Sequence, residues 1–254
     1  MDMFITAAII TFNEEKNIAR CLTSLHGIAD EIIIMDSGST DATERICKEL
    51  GAKFYQQSWQ GYAKQKNDLY ALATHDMILS LDADEVLSPL LQKSVLAIKK
   101  GVKTGLFSVN RLTNYCGTWI YHSGWYPDIK VRLFPKTCFW EGSLVHEELV
   151  YPKGLHPTLL QGHLEHFSYT SHAQHRERAD RYSKLTAEKY VSAGKKTYVL
   201  QPLLSAVGRF LKMYLIKLGF LDGKAGFHIA RISAQSNYFK YQEVQRLYGQ
   251  HSPH

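Results

Sequence analysis

A chain of 254 residues, 45% hydrophobic and 21% charged, carries enough apolar side chain for one large domain or a domain with an appendage, which excludes a disordered protein. Thirty Lys and Arg against 24 Asp and Glu give a net charge of +6, suited to an anionic partner such as a nucleoside diphosphate, a phospholipid surface or a nucleic acid. Cys21, Cys47, Cys116 and Cys138 are scattered with no CxxC spacing and read as reduced thiols, not as a disulfide framework or a metal site.

The opening "MDMFITAAIITFNEE" has Asp2 where a secretory leader needs Lys or Arg and lacks a cleavage site, so it reads as a first strand. No uncharged apolar run reaches the roughly 18 residues of a spanning helix, and a cytoplasmic protein is the expectation. In chain order, "FITAAII" (4–10) predicts a strand and Ile18, Cys21, Leu22 and Leu25 a helix over 14–26. "EIIIMD" (31–36), "AKFYQQ" (52–57) and "MILSL" (77–81) predict further strands, with helices over 41–50, 61–73 and 88–99, the last opening at Ser88-Pro89. Strand and helix in alternation predict a largely parallel sheet covered on both faces, which binds ligands outside the carboxyl ends of its strands. Thr11 to Glu14, Asp36, Asp82 and Asp84 fall at those ends. Beyond 105 the texture changes: "GLFSVNRL", "KVRLF" and "SLVHEELV" read as strands around the aromatic loop "NYCGTWIYHSGWYPD", and from 172 the chain is basic and helical.

Asp82-x-Asp84 puts two carboxylates on one side of an extended strand end. Hard oxygen donors in that pattern suit Mg²⁺ or Mn²⁺, with an open side for a diphosphate. In "MDSGSTDAT", Gly38 supplies a turn and Ser39 or Thr40 a helix cap, while the Asp36 carboxylate is placed to accept a nucleobase N–H. Thr11 or Asn13 in "TFNEE" caps the first helix.

"IITFNEEKNIARCLTSL", "EIIIMDSGSTDAT", "GYAKQKND" and "LSLDADE", in this order, resemble the family-2 inverting glycosyltransferases with the GT-A fold. The resemblance continues more thinly in "GWYPDIKVRLF", "VHEEL" and "GFLDGKAGF", which look like the lipopolysaccharide inner-core β-glucosyltransferase branch. It implies an α/β nucleotide-sugar-binding fold, a mostly parallel central sheet flanked by helices, with a helical C-terminal extension. Residues 1–104 would form the nucleotide-sugar half, 105–170 the acceptor and catalytic half, and 171–254 the basic helical region. It further implies that Thr11 and Glu14 line the nucleoside pocket and Asp36 reads uracil. Lys64 and Asn67 would border the nucleotide, Asp82 would touch ribose or metal, and Asp84 would ligate Mg²⁺ or Mn²⁺. The donor implied is a UDP-sugar, with glucose passing to a lipid-linked saccharide such as the inner core; another cell-surface glycan (capsule, O-antigen or glycoprotein) is the alternative.

The resemblance puts Glu147 first as catalytic base, and strand alternation turns Glu148 to the other face, so one of the two faces the pocket. His146 is a metal or phosphate contact or a structural histidine, and Asp128 and Arg132 are acceptor or diphosphate contacts or a strand ion pair. Trp119, Trp125 and Tyr126 either stack on a sugar or pack. His163, His166, His172 and His175 have a zinc-like spacing but no Cys beside them, and one of "HLEH" facing the metal or leaving diphosphate is the preferred reading.

In "LLSAVGRFLKMYLIKLGFL", Leu203, Val207, Phe210, Tyr214 and Leu218 share a helical face, with Leu204, Leu211 and Leu215 alongside and Arg209 and Lys212 on another. Such a helix packs on the catalytic domain or lies in a membrane interface. The resemblance and the positive charge favour peripheral association at the inner face of the cytoplasmic membrane. The QxxRW signature of processive synthases is absent, so one sugar per acceptor is expected. A nucleotidyltransferase would want a Gly-rich basic loop after the first strand, and "TFNEEKN" has no Gly. A nucleic-acid partner is not expected, because the basic residues are spread along the chain.

Overall fold

The computed structural model describes residues 3–102, 104–143 and 146–250. Its first hundred residues alternate β1 (Ile5–Thr11), β2 (Glu31–Asp36), β3 (Lys53–Gln56) and β4 (Met77–Asp82) with α1 (Ile18–Ser24), α2 (Thr43–Glu49) and α3 (Tyr62–Ala71). A short β5 (Glu85–Leu87) leads into α4 (Pro89–Gly101), where Pro89 stands in the first turn and the Ser88 hydroxyl accepts the Leu91 N–H at 3.3 Å. The four strands pair in the order β3-β2-β1-β4, every contact parallel. Ile5, Ala7, Ile9, Leu79 and Leu81 pack with Ile18, Cys21 and Leu22 of α1, while Ala8, Ile33, Met35 and Ile78 join a cluster with Leu69 and Tyr70 of α3. Burial on both faces explains why these strands read as unbroken apolar runs.

The first helix is shorter than the expected 14–26: it starts at Ile18, the first residue of its apolar spacing, and neither Thr11 nor Asn13 caps it. Asn13 takes a left-handed φ of 55°, and the loop after β1 is clipped to the loop after β2. The Asn13, Glu14 and Glu15 N–H groups donate to Ser39 Oγ, Thr43 Oγ1 and Asp41 Oδ2 at 2.8, 2.8 and 3.1 Å, and Thr40 N–H donates to Asn13 Oδ1 at 2.9 Å. Ser39 and Thr40 therefore do not cap α2 as expected: its N-cap is Ala42, with no side-chain cap bond, and their bonds go to Asn13 and Asp36 instead.

The rest of the strands are β6 (Phe107–Tyr115), β7 (Thr118–Trp119), β8 (Asp128–Pro135), β9 (Phe139–Ser143), β10 (His146–Val150) and β11 (Thr158–Tyr169). Beyond β4 the sheet continues β8-β6-β11-β5, and the β4–β8, β6–β8 and β11–β5 pairings are antiparallel, so the sheet is parallel in one half and mixed as a whole. β9 and β10 form a separate antiparallel ladder. β11 lies where the sequence predicts no element, because Gly162 interrupts the run. Gly162 sits at φ 97°, and a Cβ there would run into the Leu91 backbone at the start of α4. Its neighbour His163 exchanges bonds with Ser88, N–H to Oγ and O to N–H, each at 3.0 Å.

Two compact units are present, Met1–Leu112 with Asp128–Phe167, and Thr113–Pro127 with Ser168–His254. The second contains α5 (His172–Ser192), α6 (Gln201–Leu211), a π turn (Lys212–Ile216), a 3₁₀ turn (Gly219–Asp222) and α7 (Gly223–Gln250). α7 is tied to α5 by Ser236 and Ser183, hydroxyl to hydroxyl at 2.6 Å, and to α6 by Asn237 and Ser205 at 3.0 Å. Tyr115, Ile120, Met213, Ile229 and Ala230 form its core. "GFLDGKAGF" has a structural reading here. Asp222 accepts the N–H groups of Tyr121 and His122, both at 3.1 Å, and the Ser123 hydroxyl at 2.9 Å, while a Cβ on Gly226 would collide with the Gly219 carbonyl.

The Tyr115 hydroxyl lies 3.0 Å from Nδ1 of both His172 and His175, donating to one and accepting from the other. Burial, helped by the charges of His172 and Arg178, pushes the His175 pKa down from 6.5 to about 4. The folded state thus refuses a proton that the unfolded chain takes below pH 6.5, so stability falls between about pH 6.5 and 4, by about 3 kcal/mol from this group. Urea unfolding at pH 7 and pH 4.5 should show the midpoint dropping with acid. In His175→Gln the drop should be smaller, although that variant starts less stable.

Candidate active site at the strand ends

Register places the three candidate strand ends side by side. Thr11 pairs with Asp36 across β1 and β2, and Ile10 pairs with Asp82 across β1 and β4. The chain leaves β1 for β2 on one side and reaches β4 on the other, so the gap between β1 and β4 is a topological switch point, where open α/β sheets leave a crevice. Asp36 is fully buried and already takes four donors: Thr11 Oγ1 at 2.8 Å, Ser39 Oγ at 2.5 Å, and the Gly38 and Ser39 N–H groups at 2.9 and 2.8 Å. Glu14 accepts the Asn17 amide at 2.7 Å.

The acidic tip of β4 is held by guanidinium groups. Glu85 is 0% exposed and accepts Arg132 at 2.6 Å, Arg111 at 3.4 Å and the Asp82 N–H at 3.0 Å. Arg132, 4% exposed, also reaches Asp82 at 3.0 Å. Arg111 continues to Asp128 at 2.7 Å, and Lys130 adds a second cation to Asp128 at 3.1 Å. The result is an alternating ladder Asp82–Arg132–Glu85–Arg111–Asp128–Lys130. Alternation along β8 puts Asp128 and Lys130 on one side, Arg111 pairs with Asp128 across β6 and β8, and Arg132 is the extra residue of an irregularity where Val131 and Leu133 face the consecutive residues Ser108 and Phe107. Burial disfavours the ionised Asp82, but Arg132, Lys66, Arg111 and His166 outweigh it and hold the carboxyl well below the usual carboxylate range. Asp128 is held down in the same way, its burial outweighed by Arg111 and Lys130. Both acceptor or diphosphate candidates of the sequence, Asp128 and Arg132, thus have protein partners of opposite charge.

Asp84 faces His166. Pairing of β5 with β11 puts His166 opposite Glu85, the Phe167 N–H bonds the Asp84 carbonyl at 2.9 Å, and His166 Nε2 comes 3.3 Å from Asp84 Oδ2. Nδ1 of His166 is buried with no hydrogen-bond partner among the described residues. Among the described residues no group of three or more His, Cys, Asp or Glu could hold a metal, which leaves one carboxylate and one imidazole. The carboxylate suits a hard divalent ion that draws its other ligands from water and substrate phosphate, and the imidazole nitrogen suits a transition ion such as Mn²⁺ better than Mg²⁺. His163 lies elsewhere, against Ser88, and His172 and His175 flank Tyr115 in the helical unit.

Across from the tip, Lys66 of α3 is 4% exposed and pairs with Glu147 of β10 at 2.6 Å, its ammonium 4.5 Å from the Trp140 ring centroid. The neighbouring Asn67 clips the Trp140 backbone, donating to its carbonyl at 2.9 Å and accepting its N–H at 2.8 Å. Lys64 points to solvent and pairs with Asp68 one turn on, at 2.8 Å. Lys66 is the residue that sequence reasoning passed over; its spacing from Leu69, Tyr70 and Ala73 was the available sign that it faces inward. The side chain of His146 lies outside the described residues. Trp125 belongs to the helical unit, where it packs on Tyr115, Tyr169 and His175 with centroids 5.6 to 5.8 Å apart.

The chain belongs to Glycosyl transferase family 2, whose profile matches residues 6–156, and it is a glycosyltransferase. It is 32% identical to an uncharacterized glycosyltransferase of Rickettsia typhi over 96% of this chain and 87% of that one. It is 26% identical to the lipopolysaccharide core biosynthesis glycosyltransferase LpsC of Rhizobium meliloti over 98% and 93%. Among solved structures it is similar to glucosyl-3-phosphoglycerate synthase of Mycobacterium tuberculosis in complex with Mn²⁺, UDP and glucosyl-3-phosphoglycerate, at 22% identity, 44% of each chain and a TM-score of 0.37.

Removing the cation of a buried ion pair leaves uncompensated charge, which typically costs about 3–5 kcal/mol. Arg132→Leu should therefore unfold at much lower urea than the native chain, or fail to accumulate. Adding Glu85→Leu to it should recover part of the loss, because the stranded carboxylate is then gone.

Proposed function

We propose that this glycosyltransferase moves one hexosyl group, glucose as first choice, from a UDP-sugar to a lipid-linked saccharide such as the lipopolysaccharide inner core, with inversion at the anomeric carbon. The observation that carries the reading is the register of Thr11, Asp36 and Asp82 around the switch point, with Asp84 and His166 turned to each other beside it. The saccharide class is supported by the likeness to LpsC over nearly the whole of both chains.

In this reading Asp36 receives the uracil N–H after the rotatable hydroxyls of Thr11 and Ser39 yield an oxygen lone pair, and the clipped loops carrying Asn13 and Thr40 keep the nucleoside floor rigid. Asp84 and His166 would hold Mg²⁺ or Mn²⁺, which supplies positive charge for the departing diphosphate. Arg132 holds Asp82 and Glu85 so that the acidic tip does not splay. Lys66 fixes the carboxylate of Glu147 and offers an ammonium close to the leaving group. Glu147 takes the proton of the acceptor hydroxyl as its oxygen bonds to the anomeric carbon and the bond to the diphosphate oxygen breaks, releasing UDP. Placement at the inner face of the cytoplasmic membrane follows from a lipid-linked acceptor.

A panel of UDP-sugars with purified protein tests the donor by release of UDP. Glu147→Gln should lower transfer by about 10²–10⁴-fold with UDP affinity retained, and turnover close to native would remove Glu147 as the base. Asp84→Asn should abolish the Mn²⁺-dependent part of UDP binding in calorimetry. If EDTA leaves UDP affinity of the native chain unchanged, the metal reading falls.

A further inference from the structure

The helical unit leaves open an apolar surface that its own core does not use. α6 packs on α7 through Phe210, whose ring lies 6.0 Å from that of Phe227, and Pro202 and Met213 are buried. The next face around the same helix is apolar as well, yet Leu203, Leu204, Val207 and Leu211 are 56, 66, 50 and 44% exposed. The surface continues through the π turn at Leu215 and Ile216, 51 and 73% exposed, and through the 3₁₀ turn at Phe220 and Leu221. Scattered exposed leucines need no explanation, but an unbroken run along three consecutive elements does.

The charges around this run have one sign. Lys195, Lys196, Arg209, Lys212, Lys217 and Lys224 flank it, and between 189 and 242 the single carboxylate is Asp222, whose side chain is 3% exposed and committed to residues 121–123. Among the described residues no helix is long and apolar enough to cross a membrane. We infer that this face docks the protein on an anionic lipid bilayer, with the leucines at the acyl boundary and the amines among the headgroup phosphates. A second copy of the chain fits the face less well, because a two-fold interface would press like cations together, whereas anionic headgroups neutralise them. The inference deepens the membrane placement in the proposed function and rests on it for its purpose; the surface itself is argued from exposure and charge.

Co-sedimentation of the full chain with vesicles of phosphatidylcholine alone, and of phosphatidylcholine mixed with phosphatidylglycerol, tests it. The protein should pellet with the anionic vesicles, much less with the neutral ones, and high salt should weaken the binding. Leu204→Glu in α6 with Leu215→Glu in the π turn, both exposed, should lower vesicle affinity about tenfold or more, with helical circular dichroism and UDP release in solution unchanged. Failure to pellet with anionic vesicles, native binding by the double variant, or a solution dimer that the double variant dissociates would each overturn the inference. Vesicle binding without any UDP release would leave it standing and sink the activity reading alone.

Discussion

The guanidinium of Arg132, buried between Asp82 and Glu85, is the contact on which the site depends. Glu85 has no exposure to water and the partly exposed Asp82 stands next to it, so without that cation the end of β4 would hold a buried, uncompensated carboxylate beside a second negative charge. The sheet supplies the cation by geometry. β8 runs antiparallel to β4, an irregularity between Val131 and Leu133 carries Arg132, and Arg111 enters from β6 to continue the ladder to Asp128. Satisfying Asp82 and Glu85 internally leaves Asp84 to His166, which separates the carboxylates that build the tip from the one that the proposed reading gives to the metal.

How much of this could be read in the sequence follows from which forces are local. The parallel half was legible because its strands are buried on both faces and its helices carry apolar residues at helical spacing, properties fixed within ten residues. The same holds for Ser88-Pro89 at the start of α4. The position of α1 was less legible, since the loop after β1 is shaped by bonds to Ser39, Asp41 and Thr43, which lie nearly thirty residues away. β11 was hidden because Gly162 is present to clear the Leu91 backbone, a constraint imposed by another element. The acidic tip was found, and for Asp128 and Arg132 a strand ion pair stood beside a substrate contact; only the antiparallel register tells that Arg132 and the unremarked Arg111 belong to Asp82, Glu85 and Asp128.

The choice between Lys64 and Lys66 shows the same limit on a smaller scale. "GYAKQKND" offers cations on two sides of one helix. Lys64 finds Asp68 one turn on, an exposed pair worth a few tenths of a kcal/mol (about 0.3–0.5), and this local partner marks it as a surface residue. Lys66 has no such neighbour on its own helix and shares a side with Leu69 and Tyr70, so its charge must be met by another element.

β10 meets it, and the way it does so separates two carboxylates that only the family resemblance had ranked. In the β9–β10 ladder Glu148 pairs with Glu141 and Glu147 with Gly142. Two glutamates directly opposite repel each other, which is tolerable only where water screens them, and both are exposed. Glu147 has no side chain opposite it, is half-buried, and is fixed by a buried ammonium that also acts on Asp82. A general base needs a held carboxylate with space above it for the hydroxyl it deprotonates. The ladder and Lys66 hold Glu147 in this way and leave Glu148 facing Glu141, an asymmetry that supports Glu147 over Glu148 as the base in the proposed mechanism.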